Sequence, residues 1–191
     1  VYERLPFYAY SLLHAKRKDV VSLSHYREKV DRLLFRLVNY LQPAAMLEVG
    51  TGSGLSARYM AEAKHVPLCT LDGGECREEV IRLLTDCPQV DYRCGDVPHL
   101  LHRYVEEHGC PDIVHIAFTP YYKEVFEALL PAVSSHTCFF IGSPYATKEK
   151  REWWKQVISD PRTGVTFDLY DVGLVFFDKK RVKEHRIVNF L

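Results

Sequence analysis

The sequence predicts an α/β protein with a doubly wound, mostly parallel seven-stranded sheet, a C-terminal antiparallel hairpin and N-terminal helices. Three observations predict it. From residue 45 onward, short apolar runs alternate with amphipathic stretches, the pattern of strand–helix units joined by right-handed crossovers. The runs are almost continuously apolar, as in Ile113-Val114-His115-Ile116-Ala117-Phe118 and Cys138-Phe139-Phe140-Ile141, which suits strands covered on both faces. The first run ends in a glycine-rich turn that opens directly into a helix-like segment.

The elements follow in order. Residues 1–20 carry Tyr2, Phe7, Tyr8, Tyr10 and His14 and read as a helix packed over the domain. Residues 22–41 form an amphipathic helix, with Leu23, Tyr26, Val30, Leu33, Leu34, Leu37, Val38 and Leu41 at helical spacing. Ser22 or Ser24 caps its start and Pro43 ends it. Strands are expected at 45–49, 66–71, 90–93, 112–118 and 136–142, with helices at 54–64, 75–86, 97–108 and 121–133. A helix near 147–158 contains Trp153 and Trp154; one of the two belongs to the core, since adjacent helix residues cannot face the same way. Val165–Tyr170 then alternates with period two, turns at Asp171–Gly173 and continues into Leu174–Phe177, a hairpin signature. A last strand-like piece spans 186–190. The whole chain reads as one domain, with 1–42 as a helical cover and 43–191 as the sheet-and-helix core.

Composition narrows the function. Lys plus Arg equals Asp plus Glu at 25 each, which argues against general nucleic-acid binding and leaves only a local basic face at Lys148, Lys150 and Arg151. No apolar run approaches the ~18 residues of a membrane span, and no signal peptide is visible. The chain begins at Val1 rather than Met, so a preceding segment is compatible with it. Six cysteines, at 69, 76, 87, 94, 110 and 138, form no C-x-x-C pair and match no zinc spacing. Cys69 and Cys138 lie in apolar runs and read as buried thiols. A reducing, cytoplasmic location fits this usage.

The chemistry concentrates in Ala45-Met46-Leu47-Glu48-Val49-Gly50-Thr51-Gly52-Ser53-Gly54-Leu55-Ser56. Glycine carries no Cβ and tolerates positive φ, so a ligand can lie close to this backbone. The helix that follows offers unpaired N–H groups and a partial positive charge. Gly52-x-Gly54-x-x-Ala57 alone satisfies a dinucleotide fingerprint. The acid two residues before Gly50 and the spacing Glu48-x-Gly50-x-Gly52-x-Gly54 add more.

This segment resembles motif I of the class I S-adenosylmethionine-dependent methyltransferases, and the resemblance extends from about residue 22 onward. It is nearest to the small catechol-type O-methyltransferases and their bacterial relatives. These share a Rossmann-like fold with a late antiparallel strand and end in a segment like Asp168-Leu169-Tyr170-Asp171-Val172-Gly173-Leu174-Val175-Phe176-Phe177. The resemblance implies that Glu48 and the backbone of Gly50, Gly52 and Gly54 hold the methionine end of S-adenosylmethionine. It implies that Asp72, ending Thr70-Leu71-Asp72-Gly73, accepts both ribose hydroxyls, as one carboxylate can; a solvated turn Asp before Gly73-Gly74 is the other reading. Asp96, in Cys94-Gly95-Asp96, matches the residue near the adenine amino group. It equally suits an N-cap for a helix beginning near Pro98.

The sequence departs from the family where the chemistry occurs. Metal-dependent members end the fourth strand in an acid and place another after the fifth. Here those positions are Ala117 and the segment Ile141-Gly142-Ser143-Pro144-Tyr145. Mg²⁺ usually requires one or two carboxylates, so no metal is expected. Asp112 belongs at the opposite strand end, and Glu124 would have to point back across Tyr121. Phe118, Thr119, Tyr121 and Tyr145 are the candidate substrate-pocket residues, no catalytic residue is assigned, and His115 reads as a core histidine satisfied within its strand. The expected activity is metal-independent O-methylation of a small molecule, with neither nucleic acid nor membrane as partner and a homodimer as the compatible assembly. Two alternatives stand beside it: a catalytically silent domain that binds S-adenosylmethionine or S-adenosylhomocysteine and acts through a partner, and an NAD-dependent enzyme using Gly52, Gly54 and Ala57.

Overall fold

A computed structural model of the chain describes residues 28–117 and 119–189. The expected helix over 1–20, the start of the 22–41 helix and Phe118 lie outside the described residues. The elements run α1 (Glu28–Leu41), β1 (Met46–Val49), α2 (Leu55–Ala63), β2 (Leu68–Gly73), α3 (Glu78–Leu84), β3 (Val90–Gly95), α4 (Val97–His108), β4 (Ile113–Ile116) and α5 (Tyr122–Leu129). A 3₁₀ turn at Leu130–Ala132 follows, then β5 (Cys138–Gly142), α6 (Lys148–Ser159), β6 (Thr166–Asp168), β7 (Val172–Phe176) and β8 (His185–Ile187).

Among the described residues, one eight-stranded sheet has the order β3-β2-β1-β4-β5-β7-β6-β8. Strand β7 runs antiparallel to both of its neighbours, β5 and β6, while every other pairing is parallel. The expected alternation and late hairpin are therefore present. The strand count is eight rather than seven, because the last strand-like piece joins the sheet as β8, parallel to β6. It is also shorter and earlier than expected, at His185–Ile187, with all three residues exposed. Charge and exposure suit an edge strand, and they weaken the alternation that marks a strand in the sequence.

Strand order reverses between β1 and β4, the switch point at which ligands of such sheets bind beyond the carboxyl ends of the strands. Each face of the sheet carries its own apolar cluster. Leu47, Val49, Val114, Ile116, Phe139 and Ile141 pack with α4, α5 and α6. Met46, Ile113, Cys138 and Phe140 pack with α1, α2 and α3. Both tryptophans of α6 are buried, so the sequence argument that only one could join the core underestimates how deeply this helix is covered. Trp154 packs against β7 at Gly173, where a Cβ would fall 2.6 Å from the indole ring. Its Nε1 donates to Asp168 at 2.9 Å.

Cys69 and Cys138 are buried free thiols, as expected. Cys76 and Cys94, for which the sequence offered no pairing, form a disulfide with Cα atoms 5.3 Å apart. Their separation of 18 residues carries no motif; the pairing of β2 with β3 brings them together. Among the described residues, no helix is long and apolar enough to cross a membrane.

Candidate active site

The turn after β1 is built from left-handed backbone. Gly50, Gly52 and Gly54 have φ of 97°, 56° and 79°, a region that costs any residue with a Cβ about 1–2 kcal/mol. Gly50 N–H donates to Leu71 O at 2.8 Å, and Gly54 N–H to Thr51 O at 2.9 Å. Gly54 also lies so close to α3 that a Cβ would meet Val80 at 2.9 Å. It is the N-cap of α2 and supplies no side-chain cap bond, while Leu55 N–H donates to Ser53 Oγ at 3.4 Å.

Glu48 is placed by register. It stands opposite Thr70 on β2 and His115 on β4, so the three side chains share one face of the sheet. Helix α2 covers that face and brings Ser56 over it. Glu48 accepts from Ser56 Oγ at 2.5 Å and from Thr70 Oγ1 at 2.6 Å, and lies 2.9 Å from His115 Nδ1. Thr51 Oγ1 joins Thr70 at 2.8 Å. Glu48 and His115 are both fully buried. The carboxylate thus faces inward and fastens three strands and the glycine turn. His115 is the satisfied core histidine expected of it.

Asp72 stands half-buried near the end of β2. Its Oδ1 accepts from Gly73 N–H at 3.1 Å, and its Oδ2 pairs with the Arg77 guanidinium. The same guanidinium donates to Gly52 O at 2.8 Å, so Arg77 bridges the acid and the glycine turn. Burial raises the Asp72 pKa by more than Arg77 lowers it. The Cys76–Cys94 disulfide anchors the segment that carries Arg77 to the end of β3. Arg77 was not among the expected site residues; its only signal is a position five residues beyond the acid. Asp96 caps α4, accepting from His99 N–H at 2.8 Å, which is the cap reading of that residue.

Beyond β4 and β5 lies a cavity of about 590 Å³ lined by Ala117, Thr119, Pro120, Tyr122, Glu124, Ser143 and Lys150, among others. Tyr121 and Tyr122 both pack against the core cluster of α4–α6, and of the two Tyr122 lines the cavity. Tyr145 turns toward β6, where its hydroxyl bonds to Asp168, and this burial and bonding push its pKa up to about 12. Ser143 holds left-handed backbone (φ 46°) at the end of β5, an uncommon state for a non-glycine residue and one that concentrates at functional sites. Lys150, read from the sequence as part of a surface basic patch, is instead buried at this cavity.

Comparison with solved structures gives a consistent answer. A methyltransferase from Geobacter sulfurreducens matches at 18% identity over 91% of this chain and 89% of that one, with a TM-score of 0.66. An O-methyltransferase from Bacillus cereus in complex with S-adenosylhomocysteine matches at 16% identity over 80% and 82%, TM-score 0.64. The O-methyltransferase TomG from Streptomyces achromogenes, in complex with S-adenosylmethionine, matches at 16% over 80% and 81%, TM-score 0.65. The chain has the Rossmann-like methyltransferase fold. No protein-family model matches it, and no curated protein matches it in sequence.

Within this methyltransferase fold, the residues at the ends of β4 and β5 do not suit a divalent cation. Ala117 and Ser143 occupy those ends, and Asp112 is at the far end of β4, where it accepts from Ala44 N–H at 2.6 Å. Glu124 and Glu149 do line the cavity, but Glu149 is held by Lys123 at 2.5 Å. Among the described residues, no three His, Cys, Asp or Glu side chains converge as a metal site. A buried ammonium, that of Lys150, already stands beside the two strand ends.

Proposed function

We propose that the protein is an S-adenosylmethionine-dependent methyltransferase that methylates an oxygen of a small molecule without a metal. One observation carries this reading: a left-handed glycine turn on β1 and an acid ending β2 meet at the strand switch point, with a separate cavity beside them over β4 and β5. The turn and the start of α2 suit the methionine end of the cofactor. Asp72 suits the ribose hydroxyls once Arg77 releases it, and Asp96 suits the adenine side while capping α4. Glu48 acts as a positioning residue that fixes the turn from below. The cofactor supplies a methyl group on a sulfonium sulfur. The protein contributes orientation, since holding two reactants in line can supply several kcal/mol of a barrier. Thr119 and Tyr122 wall the substrate side, with Phe118 and Tyr121 beside them in sequence and Tyr145 next to the lining residue Ala146. The balanced charge supports a small-molecule substrate over nucleic acid.

A second reading, a domain that binds the cofactor without transferring its methyl group, is favoured by the missing carboxylates at Ala117 and Ser143. Incubation with methyl-labelled S-adenosylmethionine and a panel of phenols, catechols and carboxylic acids, in the presence of EDTA, decides between them. The primary reading expects label in an organic product, with no stimulation by added Mg²⁺. Tight cofactor binding with no labelled product from any acceptor supports the second. Transfer that EDTA stops and Mg²⁺ restores contradicts the metal-independent assignment.

A further inference from the structure

A disulfide stands beside the acid proposed for the ribose. Asp72 and Cys94 are opposite one another in the β2–β3 register, so both side chains leave the same face of the sheet. Cys94 is bonded to Cys76, and the next residue, Arg77, returns to pair with Asp72. The four residues close a ring at the end of β2. Arg77 also donates to Gly52 O at 2.8 Å, so its guanidinium spans from the acid to the glycine turn. It thus lies between the two groups assigned to the cofactor.

The disulfide is the strongest tie on the segment between β2 and α3. At the far end Arg77 O accepts from Val80 N–H at 3.1 Å and Ile81 N–H at 3.0 Å, where α3 begins. Ahead of it, residues 73–76 are exposed, and a Cβ on Gly73 or Gly74 would meet no atom within 4 Å. The hydrogen bonds from this segment to β3 are long, Gly74 N–H to Gly95 O at 3.3 Å and Arg77 N–H to Tyr92 Oη at 3.5 Å. Cys76 is exposed while Cys94 is half-buried, so an incoming thiol reaches the Cys76 sulfur. Exposed disulfides are the ones that exchange readily and serve regulation.

We propose that the Cys76–Cys94 disulfide is a redox gate on the cofactor site: oxidised, it holds Arg77 on Asp72 and Gly52 and closes the ribose position; reduced, it lets Arg77 leave and S-adenosylmethionine enter. The inference rests on the methyltransferase reading and adds a regulation to it. The reductant is a dithiol. One of its thiolates attacks Cys76 Sγ, the S–S bond breaks, and Cys94 leaves as a thiolate that takes up a proton. The second sulfur of the dithiol then displaces Cys76, which is protonated in turn, and the reductant closes its own disulfide. Two electrons and two protons pass to the protein. Losing the cross-link returns conformational freedom to the segment, so holding the guanidinium in place costs more entropy. The Arg77–Asp72 pair, with its guanidinium about one-third exposed, is too well screened to offset that cost alone.

The test is calorimetric titration of the full chain with S-adenosylhomocysteine, oxidised and after treatment with dithiothreitol, for the wild type, C76S/C94S and R77A. Reduction should tighten wild-type binding about tenfold. C76S/C94S should bind as the reduced wild type does, with or without dithiothreitol. R77A should bind tightly in both redox states, because the group that closes the site is gone. If C76S/C94S does not fold, the reduced wild type and R77A carry the comparison. Amide hydrogen exchange at residues 73–78, measured without ligand, should also speed up about tenfold on reduction of the wild type. Equal or weaker binding after reduction, R77A with the full wild-type redox response, or unchanged exchange at 73–78 overturns the proposal. Failure of both redox states to bind S-adenosylhomocysteine removes the methyltransferase reading instead, and the exchange rates still decide whether the disulfide holds the Arg77 segment in place.

Discussion

His115 Nδ1 lies 2.9 Å from Glu48 Oε1, and neither side chain reaches solvent. Because Glu48 also accepts from Ser56 and Thr70, one carboxylate ties β1, β2, β4 and the first turn of α2 into a single unit beneath the glycine turn. Glu48→Ala should therefore lower unfolding free energy by about 3 kcal/mol, the scale for breaking a buried charged network by removing one partner. Urea denaturation measures it. A loss below about 1 kcal/mol, the worth of a single net hydrogen bond, would mean that the network is not holding the strands.

Arg77 pairs with Asp72, the acid proposed to take the ribose, so in that proposal the two compete for one carboxylate. Its guanidinium is about one-third exposed, so the pair with Asp72 is partly screened by water. Arg77→Ala should tighten S-adenosylhomocysteine binding by up to about tenfold, or ~1 kcal/mol. Asp72→Ala should weaken it by about 1–3 kcal/mol. Calorimetry on both variants reads the pair of effects. Weaker binding in Arg77→Ala would show that Arg77 holds the cofactor rather than competing with it.

Asp31 makes folding sensitive to pH. It is buried on α1, and its Oδ1 has no hydrogen-bond partner among the described residues. Burial, aided by Glu48 and Glu28, pushes its pKa up to about 8. The folded chain thus holds a proton that the unfolded chain releases near pH 4. The associated stability is complete below about pH 4 and is lost as pH rises toward about 8. Asp31→Asn keeps the side chain neutral, so its advantage over the wild type should grow with pH and reach about 1–3 kcal/mol near pH 8. Urea denaturation at several pH values checks this; a difference independent of pH contradicts it.

Much of this was legible in the sequence because it follows from local pattern. Apolar runs marked β1, β4 and β5, and alternation marked the β6–β7 hairpin, since both depend on residues adjacent in the chain. The glycine turn was legible because positive φ selects glycine at fixed positions. What was hidden depends on partners far apart in the chain. The match of Glu48 to Thr70 and His115 exists only once the strands align. Tyr121 and Tyr122 could not be told apart before the phase of α5 was known. Lys150 sits among charged residues, and only the packing of α6 on the sheet turns it from a surface cation into a buried one. Cys76 and Cys94 joined for the same reason.

The central claim is that the glycine turn and Asp72 hold S-adenosylmethionine. The most direct measurement is calorimetric titration of the wild type and Gly52→Val with S-adenosylhomocysteine, with NAD as control. Valine at φ 56° would strain the turn and set a branched side chain where the ligand approaches. The expected result is one S-adenosylhomocysteine site per chain in the wild type, none in a folded Gly52→Val, and no heat with NAD. Binding of NAD, or equal S-adenosylhomocysteine affinity in both proteins, would contradict it.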